Sequence, residues 1–163
     1  MAVSERHIDD PRGETLARVV VLGGGAAGMS CALWLHHLGL TPVVVDPEPD
    51  LGGVLQEIPR ENFWVLGMPG LTSREIGERF AAHLAREEIR RVHGEATSIA
   101  RTEDGRFAVT LTAGEPLDAA ALVVGVEGQV QADGILDAAD EAHARVGLFF
   151  HDCFSGVSVS IPL

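Results

Sequence analysis

The chain has 163 residues, of which 46% are hydrophobic and 19 are glycine, and it contains two cysteines and no tyrosine. This length suffices for one domain with its own core, and the composition suits a compact α/β protein with many turns. The formal net charge of −12 argues against nucleic acid and anionic membrane surfaces as partners. Two widely spaced cysteines and a polar segment without a signal-peptide pattern at residues 1–18 predict a cytoplasmic protein.

A strand, a glycine-rich turn and a helix are predicted in succession from Arg18 to Leu38. Residues 19–22 form an apolar, β-branched run that is typical of a buried strand. The next six residues contain the pattern G-x-G-x-x-G. Residues 29–38 are mostly apolar and free of glycine and proline, which predicts a helix packed on a sheet. We expect residues 1–17 to be a mobile tail and residues 18–163 to form a single domain.

Each position of the glycine pattern has a physical task in binding a dinucleotide. Gly23 allows the tight turn after the strand, Gly25 leaves room for a pyrophosphate, and Gly28 lets helix and strand approach closely. The free N–H groups at the helix start, where Ala26 and Ala27 lie, and the positive end of the helix dipole then face the phosphates. Backbone amides, rather than charged side chains, are thus predicted to hold the diphosphate.

A second buried strand, residues 43–45, ends in Asp46. A carboxylate at this position can accept hydrogen bonds from both ribose hydroxyls and repels a 2′-phosphate. The strand before the glycines, the helix after them and the acid at about the right distance together predict a dinucleotide site. The alternative is a glycine-rich turn in an unrelated α/β domain. The glycine pair Gly52 and Gly53 follows Asp46, and this composite resembles the FAD-binding signature of flavoproteins that have two dinucleotide-binding domains.

The rest of the chain predicts a second helix and a small antiparallel sheet. Thr72 and Glu75 are spaced for a capping box, and an apolar stripe with helical spacing follows them. Residues 89–93 predict a short strand, residues 97–102, 106–112 and 117–120 an antiparallel meander, and residues 121–124 another buried strand. In the apolar loop before the second helix, Phe63 and Trp64 could cover a flavin ring, but core or loop packing is the favoured interpretation.

Most of residues 18–128 resembles the FAD domain of the low-molecular-weight thioredoxin reductase and ferredoxin–NADP reductase-like flavoproteins, a group of pyridine nucleotide-disulfide oxidoreductases. Residues 51–55 resemble the glycine-pair turn of that family, and residues 66–70 resemble its loop before the capped helix. The resemblance implies a Rossmann-like α/β domain with a central parallel sheet, a small antiparallel meander and bound FAD. It places Gly53 near the ribityl chain and makes Asp152 the aspartate that contacts this chain, with His151 in place of the family's glycine. Glu127 stands where the family has threonine.

Three functional hypotheses follow. The first is an FAD-binding oxidoreductase without its own NADPH domain or C-x-x-C pair, in which NAD(P)H docks from outside or electrons come from a redox partner protein. The second is a non-catalytic dinucleotide-binding or accessory module that acts through a partner protein. The third, a plain NAD domain, is disfavoured by the glycine pair and the meander. A homodimer is expected only from the resemblance.

No catalytic residue and no metal ligand set is assigned. His36 and His37 are adjacent on a predicted helix and cannot share a metal ion on one face, so we interpret them as a pair that complements the helix dipole. His151 and Cys153 can share one face of a strand, which leaves a reactive thiol open as an alternative.

Overall fold

The computed structural model describes residues 18–125, so the predictions for residues 1–17, Glu127, His151, Asp152 and Cys153 lie outside the described residues. The elements run in the order β1 (Arg18–Leu22), α1 (Ala26–His37), β2 (Thr41–Asp46), a short 3-10 helix (Gly53–Gln56), α2 (Ser73–Arg86), β3 (Arg90–His93), β4 (Ala96–Arg101), β5 (Phe107–Leu111), β6 (Leu117–Ala119) and β7 (Ala121–Val124).

Four of the strands form a parallel sheet in the order β3-β2-β1-β7. Val20 pairs with Val43 on one side and with Leu122 on the other, so β1 is the inner strand beside β7. Because the strands are parallel, the carboxyl ends of β1, β2 and β7 meet at one edge of the sheet. The predicted central parallel sheet is confirmed.

The two faces of this sheet carry different layers. Val20 and Val43 face the antiparallel sheet β4-β5-β6, which packs on them through Val109 and other apolar side chains. Val21 lies on the opposite face, where the apolar side chains of α1 and α2 cover the sheet. Val20, Val21, Val43 and Val109 are all at most 1% exposed, and burial of such a side chain contributes about 1.5–3 kcal/mol. The predicted α/β fold with a meander on one side is confirmed.

The capping box of α2 is formed as predicted. The Thr72 hydroxyl accepts a hydrogen bond from the backbone N–H of Glu75 at 3.3 Å, and the Glu75 carboxylate accepts one from the backbone N–H of Thr72 at 2.8 Å. The bond from the Thr72 backbone N–H lowers the pKa of Glu75 most, and the Thr72 hydroxyl, which donates to the same carboxylate at 2.8 Å, lowers it further. Ile76 and Leu84 of the apolar stripe are buried, so this helix starts at the predicted cap and buries the predicted stripe. Within residues 18–125, no helix has the length and apolar character needed to cross a membrane.

Candidate dinucleotide-binding site

The glycine-rich turn joins the carboxyl end of β1 to α1. Gly23 has φ +100°, a left-handed conformation that favours glycine, and its N–H donates to the carbonyl oxygen of Val45 at 2.8 Å. The turn is therefore bonded to the neighbouring strand β2 at the edge where the parallel strands end.

Gly28 makes the close approach that its place in the motif predicted. A Cβ atom at Gly28 would lie 1.8 Å from the carbonyl oxygen of Gly23, so any side chain there would force the helix away from the turn. Gly125, at the end of β7, donates its N–H to the carbonyl oxygen of Leu22 at 2.7 Å. A Cβ atom on Gly125 would be 3.4 Å from the Cα of Gly28, so the end of β7 also packs on the start of the helix.

The start of α1 is capped by Gly25 without a side-chain hydrogen bond, and its first turn carries no acidic residue. The first intrahelical bond runs from the N–H of Met29 to the carbonyl oxygen of Gly25 at 2.9 Å. The N–H groups of Ala26, Ala27 and Gly28 precede that bond, and such groups have no partner within their own helix. In the part of the chain that the structure describes, a Cβ atom built on Gly25 meets no heavy atom within 4 Å, which leaves open space beside these amides.

The glycine pair packs directly on the glycine-rich turn. The N–H of Gly52 donates to the carbonyl oxygen of Gly24 at 2.9 Å, and Gly25 and Gly52 form a parallel β-bridge. Gly52 and Gly53 have φ values of +138° and +52°, and a Cβ atom on Gly53 would be 3.1 Å from the Cα of Gly25. The two glycine segments therefore form one backbone surface, which a side chain on Gly53 would force apart.

Gly24, which the motif leaves unspecified, also lies in a tightly packed position. A Cβ atom there would lie 2.3 Å from the Cδ2 of Leu51 and 2.9 Å from the Oδ2 of Asp46. Both partners are distant in sequence, so no role for Gly24 could be predicted from the chain alone. The only available signal was an extra glycine within the motif.

Asp46 is buried, with 7% of its surface exposed, at the carboxyl end of β2. Its Oδ2 accepts the N–H of Gly24 at 2.5 Å and its Oδ1 accepts the N–H of Glu48 at 2.9 Å. The carboxylate is thus fixed beside the glycine-rich turn. A carboxylate oxygen has more than one acceptor position, so this arrangement still allows ribose hydroxyls to donate to Asp46.

The structure brings eight of the nine predicted site residues to one edge of the sheet; these are Gly23, Gly25, Ala26, Ala27, Gly28, Asp46, Gly52 and Gly53. The ninth, Asp152, lies outside the described residues. Open space at uncapped helix amides, with a carboxylate bonded to the same turn, fits a diphosphate joined to a sugar.

The aromatic pair Phe63 and Trp64 and the histidine pair His36 and His37 were also interpreted from the sequence. The packing predicted for Phe63 and Trp64 is wrong, since their side chains are 71% and 86% exposed. Their loop projects them outward together with Leu66, which is fully exposed. His36 and His37 do lie in the last turn of α1, where a positive charge complements the helix dipole.

The fold is a Rossmann-like α/β fold with a glycine-rich turn at the carboxyl edge of its parallel sheet. Residues 21–86 match the family model described as an NAD(P)-binding Rossmann-like domain. The chain is similar to the ferredoxin–NADP reductase of Limosilactobacillus fermentum, with 30% identity over 94 residues that cover 56% of this chain and 28% of that protein.

Solved structures show the same fold. The thioredoxin reductase of Lactococcus lactis superposes with a TM-score of 0.61 at 17% identity, covering 71% of this chain and 37% of that one. A ferredoxin-flavin thioredoxin reductase from Clostridium acetobutylicum has a TM-score of 0.61 at 22% identity, with coverages of 72% and 40%. The predicted resemblance to these reductases is confirmed. The chain spans about a third of the length of the curated relatives that it matches, from 28% to 34%.

Proposed function

We propose that the chain binds FAD and acts as the FAD-holding part of a flavin-dependent oxidoreductase of the thioredoxin-reductase-like group. The observation that carries this proposal is the uncapped start of α1, with open space at Gly25, in contact with the second glycine turn at Gly52. The relatives in sequence are named ferredoxin–NADP reductases, which supports a redox function.

In this proposal, the backbone N–H groups from Gly25 to Gly28 bind the pyrophosphate, and the Asp46 carboxylate accepts hydrogen bonds from the adenosine ribose. Gly52 and Gly53 allow the second turn to pack against Gln56 and the backbone of Gly25, which keeps this turn beside the pyrophosphate and the proposed path of the ribityl chain. Bound FAD supplies the electron transfer, while these residues bind and orient it. NAD(P)H is the proposed electron donor, and a redox protein is the proposed partner. The two widely spaced cysteines support a reducing, cytoplasmic setting.

The exposed apolar loop favours a second candidate function. Phe63, Trp64 and Leu66 present large apolar side chains, and clustered exposed apolar residues often mark a protein contact. A dinucleotide-binding module that lacks catalysis and completes a partner protein would need such a surface.

The visible absorption spectrum of the full chain, purified in the presence of FAD, tests the first proposal. We expect a flavin spectrum that stays with the protein on gel filtration and is bleached by NADPH or NADH without oxygen. A flavin spectrum that no nicotinamide donor bleaches would favour the non-catalytic module. Absence of any bound flavin would overturn the proposed cofactor.

The variant Gly25→Asp tests the site itself, because a carboxylate would then occupy the space beside the helix amides and repel phosphates. We expect FAD binding to be lost while the fold is retained. Ala113→Asp is the control, because it adds the same charge at an exposed residue of the turn between β5 and β6, away from the glycine-rich turn. Ala113 is not among the residues with positive φ, so the substitution adds no backbone strain. Equal FAD affinity in the two variants would contradict the site.

A further inference from the structure

The loop that follows Asp46 has the sequence Pro47-Glu48-Pro49-Asp50 and is exposed to solvent. Proline has no N–H group, so Glu48 and Asp50 hold the only backbone donors among these four residues. The loop therefore has few ways to satisfy its carbonyl groups with its own amides. Other parts of the chain supply the donors.

Two side chains of the edge strand β3 supply them. Arg91 donates from Nη2 to the carbonyl oxygens of Glu48 at 2.5 Å and Pro49 at 2.6 Å. The Nε2 atom of His93 lies 2.8 Å from the carbonyl oxygen of Pro47, and since a carbonyl only accepts, Nε2 is the donor. Three successive carbonyl groups of the loop are thus held from one strand.

The parallel register explains how β3 reaches this loop. Arg91 pairs with Val44 and His93 pairs with Asp46, so β3 runs alongside the end of β2. Arg91 and His93 are two residues apart, and residues at that spacing project from the same face of a strand. Both side chains can therefore reach the segment that continues beyond Asp46.

These contacts continue to the Asp46 carboxylate. The carbonyl group held by Arg91 belongs to Glu48, whose N–H is the donor to Asp46 Oδ1 at 2.9 Å. The other oxygen of Asp46 is held by the N–H of Gly24 in the glycine-rich turn. A continuous series of hydrogen bonds thus runs from Arg91 through the loop to Asp46 and the turn. Arg91 itself makes its hydrogen bonds to the loop and acts on the carboxylate through it.

We infer that Arg91, assisted by His93, is a positioning residue for the adenosine ribose, an inference that rests on the proposed FAD site. It holds Glu48 so that the Asp46 carboxylate keeps the orientation in which its remaining acceptor positions face the sugar hydroxyls. The ligand class is a nucleoside diphosphate, which contains both the ribose and the diphosphate. The affinity for inorganic phosphate, which has no ribose, should not change when Arg91 is replaced.

The first test uses the full chain without ligand. Arg91→Met keeps the aliphatic stem and removes the donors, and we expect amide hydrogen exchange of Glu48 to become faster by about tenfold or more. Arg79→Met is the control, because it removes the same charge from an exposed position of α2. Unchanged exchange at Glu48 in Arg91→Met would overturn the inference.

The second test measures ADP binding by calorimetry. We expect Arg91→Met to weaken binding roughly tenfold, while Arg91→Lys, whose ammonium group has three donors, stays within about threefold of the wild type. In an Asp46→Asn background, Arg91→Met should change the affinity by less than about twofold, because the two residues act in series. A merely structural role for Arg91 would give independent, multiplying effects.

The outcomes separate the two proposals. Normal ADP binding by Arg91→Met, or multiplying effects in the double variant, overturns the role of Arg91 and leaves the FAD site standing. If the wild-type chain binds neither ADP nor FAD, the proposed function is overturned, and the role proposed for Arg91 is overturned as well.

Discussion

Replacing Gly28 with alanine should destabilise the fold even without any cofactor. The added Cβ would lie 1.8 Å from the carbonyl oxygen of Gly23, whereas real contacts of this kind are at least 3.0 Å. The obstacle is backbone, so the helix must move away from β1 and from Gly125, which packs on the same glycine. Such overpacking costs about 1–3 kcal/mol and occasionally more.

Two effects combine in the change that Gly28→Ala makes to the free energy of unfolding. Alanine gains up to about 1 kcal/mol over glycine in a helix, which offsets part of the clash. The carbonyl group of Gly23 belongs to the backbone and cannot rotate away as a flexible side chain could. The cost of the clash should therefore lie at the upper end of this range. We expect a net loss of about 2 kcal/mol in the free energy of unfolding, measured by urea denaturation of the full chain without ligand.

Gly25→Ala is the matched comparison, because it makes the same change three residues earlier. A Cβ atom at Gly25 meets no heavy atom within 4 Å of the described structure, and φ there is −70°, which alanine adopts without strain. We expect it to lose less than about 1 kcal/mol of stability, because alanine is only a poorer N-cap than glycine. If Gly25→Ala were as destabilising as Gly28→Ala, or if Gly28→Ala were neutral, the packing attributed to this turn would be wrong.

Three further predictions concern other parts of the fold. Thr72→Ala removes the capping-box acceptor for the Glu75 N–H and should cost about 1 kcal/mol in urea denaturation, where an unchanged midpoint would contradict the cap. The Arg106 guanidinium lowers the pKa of Asp118 through its hydrogen bonds, so this pair stabilises the fold above the ordinary aspartate pKa and loses that contribution as the pH falls through the lowered value. In Asp118→Asn, the free energy of unfolding should fall less on acidification than in the wild type. The difference should be at most about 1 kcal/mol because the pair is exposed, and an identical pH profile would refute its role. Trp64→Ser should leave stability within about 0.5 kcal/mol, since 86% of that side chain is exposed, and a larger loss would show that it packs.

The sequence alone predicted the parts of this protein that depend on neighbours along the chain. The strand–turn–helix around Gly23, Gly25 and Gly28 was predictable because the positive φ at the turn and the contact between Gly28 and Gly23 involve residues at most five apart. The capping box at Thr72 and Glu75 was predictable for the same reason. The β-branched runs indicated buried strands, and both faces of these strands are indeed covered.

The tertiary structure alone decided the contacts at the site that no motif indicates. Gly24 is constrained by Leu51 and Asp46, and the loop after Asp46 is held by Arg91 and His93. The loop's partners lie more than 40 residues away and are brought in by the register of β3 on β2. Spacing along a chain shows which residues share a turn or a helix face, but strand order and register determine which side chains meet at the end of a sheet.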